Sequence, residues 1–224
     1  MYNTPMKVEY TYKTHPTELV LAATIAADRV NGGEYVKQGS FSQLTTNRTL
    51  VVQFLTKPET ITEADREIVA KMRQFFHGLT FKFLMNDGLG DFEKKMMLLA
   101  SEDEISERDL NVVAYMPTYF RKETEKLTAD GRLADSAKEY LATIGDKVAG
   151  EIEVIKMFYS EKYSCYFING LTNENLRIRF AYSGKHEFRV SEKYSIRATV
   201  KRHDEMYTTV LGRVKVVEID NKSE

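Results

Sequence analysis

Two short segments in the last third of the chain combine aromatic and basic side chains. The first reads FYSEKY (residues 158–163) and the second reads KRHDEMY (residues 201–207). An aromatic ring offers a flat surface for base stacking, and a basic group attracts the phosphate that accompanies each nucleotide. Together they predict a surface for a single-stranded nucleic acid. The candidate binding residues in these segments are Phe158, Lys162, Tyr163, Lys201, Arg202, His203 and Tyr207.

Two predicted strands between these segments add further candidates. In the first strand, burial of Cys165 and Phe167 would turn Tyr166 outward, because alternate residues of a strand point to opposite faces. In the second, burial of the apolar residues at positions 176, 178 and 180 would turn Arg177 and Arg179 outward together. The candidate set is completed by Lys156 and Arg213.

The elements that must position these residues are short strands. Five segments after Gly145 have strand character, at residues 147–158, 163–169, 175–182, 194–201 and 208–217. Five such strands within about seventy residues suffice to close a small barrel. Val154 and Ile155 stand side by side in the first segment, where a β-bulge would switch faces, as expected of a five-stranded OB-type barrel. An SH3-like barrel would give a similar string of strands and stays open as an alternative.

The OB interpretation gives the two aromatic and basic segments a common place. Barrels of this type bind oligonucleotides on the face of strands two and three, between the loops that join strands one to two and four to five. Residues 158–163 and 201–207 occupy those two loops in the predicted strand order. Outward aromatic and basic residues are also common on strands for packing and solubility alone, so the combination of both loops carries the prediction.

The region before Gly145 is predicted to be mostly helical. Apolar residues recur at helical spacing from Ile68 to Leu79, behind a start at residues 62–65 that resembles a capping box. The apolar run at residues 19–27 predicts a core helix within residues 16–30. Further helices are expected at residues 91–100, 106–115 and 124–141, with Pro117 ending or kinking the helix at residues 106–115. Residues 50–55 fit either a strand or a short helix.

The predicted fold class is therefore α+β, with a helical region at residues 1–145, an OB-type barrel at 146–219 and a short polar tail at 220–224. The balance of basic and acidic residues also differs between the helical region and the barrel region. The barrel region carries 13 basic and 10 acidic residues, whereas residues 1–145 carry 18 basic and 21 acidic residues. Because the net charge of the 224-residue chain is only -1, any electrostatic site must be local.

Several functional classes find no support in the sequence. The four histidines and the single cysteine, Cys165, show no metal-ligand spacing, so neither a metal nor another cofactor is expected. The acidic residues 102–104 suit a solvated connection better than a nuclease site. A membrane span and a signal peptide are likewise not expected, and one cysteine fits the reducing cytoplasm.

The ending IRATVKRHDEMYTTVLGRVKVVE resembles the final hairpin of OB-fold modules in phage-encoded single-stranded DNA-binding and replication-accessory proteins. It has a basic strand end, a histidine, a Thr-Thr pair and then Arg213-Val214-Lys215. The resemblance covers the last third of the chain. It implies that the barrel binds DNA and that the protein acts in the cytoplasm of an infected bacterium.

The sequence thus predicts a non-enzymatic protein that binds single-stranded DNA with little sequence preference, in DNA replication, recombination or repair. The helical region is expected to bind a replication protein or to mediate self-association. Two alternatives remain. The barrel could be a protein-interaction or scaffold module, since a fold does not fix a function, or it could bind RNA, which differs at the 2′-hydroxyl.

Overall fold

A computed structural model describes residues 12–84 and 88–217 of the chain, which has an α+β fold. The chain divides after Thr124 into two compact units, a helical unit and a barrel unit, and this division lies inside one helix. The sequence had suggested a boundary near residue 145. The predicted polar tail, residues 220–224, lies outside the described residues.

The helical unit contains five helices and the first half of a sixth, together with a short two-stranded ribbon. In chain order its elements are β1 (Thr14–Pro16), α1 (Thr17–Val30), α2 (Asn47–Thr56), α3 (Glu63–Leu84), α4 (Asp91–Ser101), β2 (Glu104–Ser106), α5 (Leu110–Val113) and α6 (Met116–Ala134). Single 3₁₀ turns lie at Pro58–Thr60 and Glu107–Asp109. β1 and β2 pair antiparallel, with His15 opposite Ile105. This ribbon was not predicted.

Helix α1 is the centre of the helical unit. Every residue from Val20 to Ala27 is buried, so the helix is apolar on all sides, as expected of a helix surrounded by others. This confirms the core helix predicted from the apolar run. The largest fully buried side chains around it are Leu21, Met72, Phe76, Met96, Leu110 and Met116.

Helix α3 begins with the predicted capping box. The Thr62 hydroxyl accepts a hydrogen bond from the Asp65 backbone N–H, and the Asp65 carboxylate accepts from the Thr62 backbone N–H and hydroxyl. Arg29 donates two further hydrogen bonds of 2.9 Å to the same carboxylate. Burial alone would raise the pKa of Asp65, but the hydrogen bonds from Arg29 and Thr62 outweigh burial and lower it.

The helices after residue 101 differ from the prediction, and α6 begins at Met116 rather than at residue 124. Residues 106–115 do not form one helix, because β2 and a 3₁₀ turn precede the single turn of α5. Pro117 does not end a helix but lies in the first turn of α6, where a missing backbone N–H leaves no hydrogen bond unmade. Helix α6 ends at Ala134 rather than at residue 141. The ambiguous residues 50–55 belong to α2.

The barrel unit holds the predicted five strands. They are β3 (Lys147–Ser160), β4 (Cys165–Thr172), β5 (Arg177–Tyr182), β6 (Lys193–Asp204) and β7 (Thr208–Val216). Their order is β3-β4-β5-β7-β6, closed by pairing of β3 with β6. Only β5 and β7 run parallel. This is the predicted five-stranded barrel of the OB type.

The predicted bulge lies in β3, where the register with β4 shifts between Val154 and Lys156. Val154 points into the barrel, whereas Ile155 packs outside it against Leu133 and Leu171. A bulge allows two consecutive apolar residues to be buried on opposite sides of one strand. The barrel interior is filled by Ile152, Val154, Ile168, Ile178, Phe180, Phe188, Ile196, Val200 and Leu211.

Candidate nucleic-acid interface

The outer face of β4 and β5 is set by the side chains that point inward. Ile168, Ile178 and Phe180 lie in the barrel core, so their neighbours in sequence point outward. Arg177 and Arg179 are therefore on the outer face, as the alternation predicted. In the antiparallel register Leu171 lies opposite Arg177, Asn169 opposite Arg179 and Phe167 opposite Ala181.

Cys165 is buried and Tyr166 is exposed, as predicted, but the alternation from which this was predicted does not hold for Phe167. Because Ile168 points into the barrel, Phe167 and not Tyr166 shares the outer face with Asn169. Tyr166 lies on the same side of β4 as the inward-pointing Ile168, but it is beyond the end of the barrel core. There it is 41% exposed and packs against Tyr159, its partner on β3, with ring centroids 5.1 Å apart. Cys165 is buried although it lies on the same side of β4 as the outward-pointing Phe167.

The connection between β3 and β4 carries a group of aromatic residues that we call the aromatic hairpin. It comprises Phe158, Tyr159, Tyr163, Tyr166 and Phe167. Phe158 stacks on its cross-strand partner Phe167, with centroids 5.2 Å apart and planes 16° from parallel, while Tyr163 meets the edge of Phe167. The Nζ atom of Lys162 lies 5.3 Å from the centroid of the Tyr163 ring. Rings thus occupy both sides of the hairpin.

The aromatic hairpin leaves much of this ring surface in solvent. Phe158, Tyr159, Tyr163 and Tyr166 are between 41% and 61% exposed. A contiguous exposed apolar surface of this kind commonly marks a binding site. Tyr159 was not among the predicted candidates. The pairing of β3 with β4 places it directly opposite Tyr166, two residues after the inward-pointing Met157.

The aromatic hairpin and the β6–β7 turn stand at opposite ends of the outer face. Tyr166 in the hairpin pairs with Tyr182 at the end of β5. Thr209, just after the β6–β7 turn, pairs with Ile178 at the start of β5. The outward residues of β4 and β5, Arg179 among them, therefore lie between the two predicted loops.

Helix α6 covers one end of this face. Ala129 and Leu133 pack against Ile155 and Leu171, so the Leu171 end of β4 is closed to a ligand. The same helix pairs Asp130 with the candidate Lys156 at 2.5 Å. Arg132 forms a bidentate ion pair with Glu153 of β3, at 2.7 and 2.8 Å. The open part of the face is thus shorter than the sequence suggested.

Arg177 is a buried cation beside this covered end. Only 9% of the residue is exposed, and its Nε atom has no hydrogen-bond partner in the part of the chain that the structure describes. One guanidinium nitrogen lies 3.9 Å from the sulfur of Met206. Burial lowers the pKa of Arg177, and the like charge of Arg179 lowers it further.

Arg179 is the more accessible of the two arginines. Its Nε donates a 2.9 Å hydrogen bond to Asn169, which orients the guanidinium across β4 and β5. Another of its nitrogens lies 3.8 Å from the Asp204 carboxylate, and its side chain remains 42% exposed. Arg179 can therefore bind a phosphate without leaving its position on the face.

The turn between β6 and β7 divides its candidates into paired and exposed residues. Arg202 forms a bidentate ion pair with Asp204, and this hydrogen bonding lowers the pKa of that carboxyl. His203 stacks on Tyr140, with ring centroids 3.9 Å apart, and its Nε2 lies 2.9 Å from the Ala142 carbonyl oxygen. His203 thus fixes the segment before β3. Lys201 and Arg202 near the end of β6 and Tyr207 in the turn are exposed.

Arg213 lies elsewhere on the barrel. It and Lys147, Arg197 and Lys215 line one depression on the outer side of β3, β6 and β7. Arg213 therefore lies on the β6–β7 side of the barrel, whereas the candidates Arg177 and Arg179 lie on β5.

The arrangement can stack bases and bind phosphates. Among residues 12–84 and 88–217 there is no group of three or more histidine, cysteine or acidic residues suited to a metal ion. Over the same residues, no helix has the length and apolar character needed to cross a membrane. Comparison of the chain with protein-family models, with curated proteins and with solved structures gives no match.

Proposed function

We propose that the barrel unit binds single-stranded DNA with little sequence preference and without catalysis, in DNA replication, recombination or repair. The observation that carries this proposal is the aromatic hairpin, whose half-exposed rings stand at one end of the outer face that bears Arg179. The resemblance of the last hairpin to phage-encoded OB-fold modules supports the same function and favours a bacterial host cytoplasm. The helical unit is proposed to bind a replication protein or a second copy of the chain.

The exposed rings support stacking of bases. Four rings kept in water at the end of a long hairpin add little to the barrel core, which is complete without them. Every base presents an aromatic face, so stacking tolerates any sequence. Because bases are accessible for stacking in a single strand and already stacked in a duplex, the hairpin favours single strands.

The basic residues on and beside the outer face support binding of the sugar-phosphate backbone. Arg179, Lys162 and Lys201 are partly or fully exposed. Neutralising three phosphates of a single strand gives a log–log slope of affinity against salt of roughly -2. Asp204 opposes this effect and keeps the charge of the turn moderate. Binding is therefore expected to be modest and sensitive to salt.

Fluorescence anisotropy with labelled single-stranded DNA, duplex DNA and single-stranded RNA tests the proposal. The double variant Tyr159→Ala/Tyr166→Ala removes one ring pair from the aromatic hairpin and should weaken binding of single-stranded DNA by about tenfold or more. The salt slope should stay near that of the parent, because no charge is removed. Phe41→Ala, which removes a fully exposed ring from the helical unit, is the matched control and should not change binding.

Two results would contradict the proposal. One is parental affinity for single strands in the double variant, provided that its thermal melt matches that of the parent. The other is tighter binding to duplex than to single-stranded DNA. Equal or tighter binding to RNA would instead change the class of nucleic acid, and a salt-independent affinity for a protein would favour the scaffold alternative.

A further inference from the structure

The depression that contains Arg213 is lined by four basic side chains, Lys147, Arg197, Arg213 and Lys215, which we call the basic ridge. All four residues are exposed, and the depression that they line has a volume of about 340 Å³. The other lining residues are small or apolar, with Thr199 the only other polar one. No acidic or aromatic residue lines it. The ridge is therefore a concentration of positive charge without a stacking surface.

The pairing of β6 with β7 places two of these basic side chains next to each other. Arg197 on β6 lies directly opposite Lys215 on β7, and both point outward because their neighbours in sequence lie in the barrel core. Like charges directly opposite on neighbouring strands destabilise a sheet. Across residues 12–84 and 88–217 no carboxylate forms an ion pair with any of the four ridge residues, whereas Arg189 and Lys193 on the same unit pair with Glu192 and Glu151. A bound anion would offset this repulsion.

The backbone at Arg213 departs from regular strand geometry. The register between β6 and β7 shifts here, and Arg213 adopts a left-handed conformation with φ 54°. That conformation is unfavourable for a residue other than glycine, and the preceding Gly212 does not take it. Backbone strain of this kind clusters at functional sites, where it directs a side chain. Here the strained residue is one of the four cations.

The basic ridge is continuous with the proposed DNA-binding face. Tyr182, the cross-strand partner of Tyr166, lines a second depression together with Lys185 and Arg213. Arg213 also belongs to the ridge. A path therefore leads from the aromatic hairpin past the end of β5 to the ridge, while α6 covers the opposite end of the face.

From this continuity we propose that the basic ridge binds the phosphodiester backbone of the same single strand after it leaves the aromatic hairpin. The inference rests on the proposed function for the identity of its ligand. Without a ring to stack on, the bases of this part of the strand stay in solvent, and the contact is made with phosphates alone. Binding at the ridge therefore requires a strand longer than the one that fills the face of β4 and β5.

A comparison of two oligonucleotides tests this inference. A single OB fold contacts about 4–16 nucleotides, so a labelled single strand of about 8 nucleotides can fill the face, and one of about 24 can also reach the ridge. The full-length parent should bind the longer strand more tightly. Arg197→Ser/Lys215→Ser should leave the affinity for the short strand unchanged and weaken binding of the long strand by about tenfold. For the long strand, the salt slope should become shallower by roughly 1.4, or 0.7 for each phosphate lost.

The matched control is Arg189→Ser/Lys193→Ser, which removes the same charge from paired cations of the same unit and should leave both affinities near parental. The ridge variant should melt no lower than the parent, because it removes a repulsive pair. An equal effect on both strands, or no effect on either, would overturn the inference. Suppose that Tyr159→Ala/Tyr166→Ala bound both strands like the parent, while the ridge variant lost affinity for the long strand. This result would contradict the proposed stacking site and support the phosphate site at the basic ridge. A parent that bound neither strand would overturn both.

Discussion

The aromatic residues of the two units form pairs of similar geometry in opposite surroundings. In the helical unit Phe75, Phe76 and Tyr119 pack with ring centroids 5.2 to 6.3 Å apart, around a fully buried Phe76. In the aromatic hairpin, Tyr159 and Tyr166 are 5.1 Å apart, yet half of each ring lies in water. Ring pairs hold the helical core together, whereas in the barrel unit they are displayed on the surface.

Some basic residues of the two units differ in the same way, in whether they have an acidic partner. In the helical unit the side chains of Arg29, Arg73 and Arg121 are bound to Asp65, Glu18 and Asp28. In the barrel unit the four cations of the basic ridge have no such partner among residues 12–84 and 88–217. Composition alone therefore does not identify a binding surface. What distinguishes it is whether the neighbouring residues satisfy the rings and charges.

The largest expected effect comes from removing one ring from each unit. Phe76→Ala should lower the free energy of unfolding by about 3–5 kcal/mol, because it leaves a cavity in the helical core. Tyr159→Ala should lower it by less than about 1 kcal/mol, because half of that ring is already solvated. Denaturant unfolding of both variants measures the difference. Equal losses would show that the hairpin rings serve the fold, and the comparison above would fail.

A smaller loss of stability is expected from a substitution at Gly170, where the barrel has no room for a side chain. A Cβ atom on Gly170 would lie 2.6 Å from the Glu153 carbonyl oxygen, beside the β3 bulge. Gly170→Ala should therefore destabilise the barrel unit by about 1–3 kcal/mol, since the clashing atom belongs to the backbone. Gly150→Ala is the control, because no atom lies within 4 Å of its added Cβ. Equal thermal melts of the two variants would refute this account of the bulge.

The capping box should give a pH-dependent effect in the helical unit. Asp65→Ala should cost about 1–2 kcal/mol at neutral pH, because the capping box loses its carboxylate and Arg29 loses its partner. The pKa of Asp65 is lowered in the folded protein, so its contribution is present above the ordinary carboxyl pKa and is lost as the pH falls through the lowered value. The difference in stability between parent and variant should therefore shrink on acidification. A difference that stays constant down to about pH 2 would contradict the assigned ion pair.

The smallest effect is expected at the exposed pair of Arg202 and Asp204. Asp204→Asn should leave the unfolding midpoint nearly unchanged, because the pair is in solvent. It should tighten binding of single-stranded DNA by about two- to fivefold, because the carboxylate that lies 3.8 Å from Arg179 is neutralised. Anisotropy at low salt measures this gain, and weaker binding would show that Asp204 positions the arginines instead.

The barrel was predictable because its signals are local. Alternation of apolar residues indicated the five strands, and two adjacent apolar residues, Val154 and Ile155, indicated the bulge. The capping box at Thr62 was equally local. Each of these patterns requires only the neighbouring sequence and the geometry of one element.

The failures all involve contacts that are distant in sequence. Pro117 begins α6 instead of ending a helix, and its neighbours do not distinguish these roles. The parity of β4 depends on Ile168 reaching the barrel core, and the covering of Leu171 depends on Leu133 of α6. The position of Arg213 follows from a bulge that only the pairing of β6 with β7 reveals. The candidate list therefore contained most of the aromatic hairpin but not the basic ridge as a group.

The covering of one end of the β4–β5 face by α6 has a consequence for the direction of a bound strand. Leu133 closes the face at Leu171, whereas the end beside Tyr166 is open toward Arg213. The two ends of the face are therefore not equivalent, because the aromatic hairpin stands at the open end and α6 covers the other. Under the proposed function, a strand whose 5′ and 3′ ends differ in chemistry would meet an asymmetric surface, so we expect one orientation of binding for any sequence.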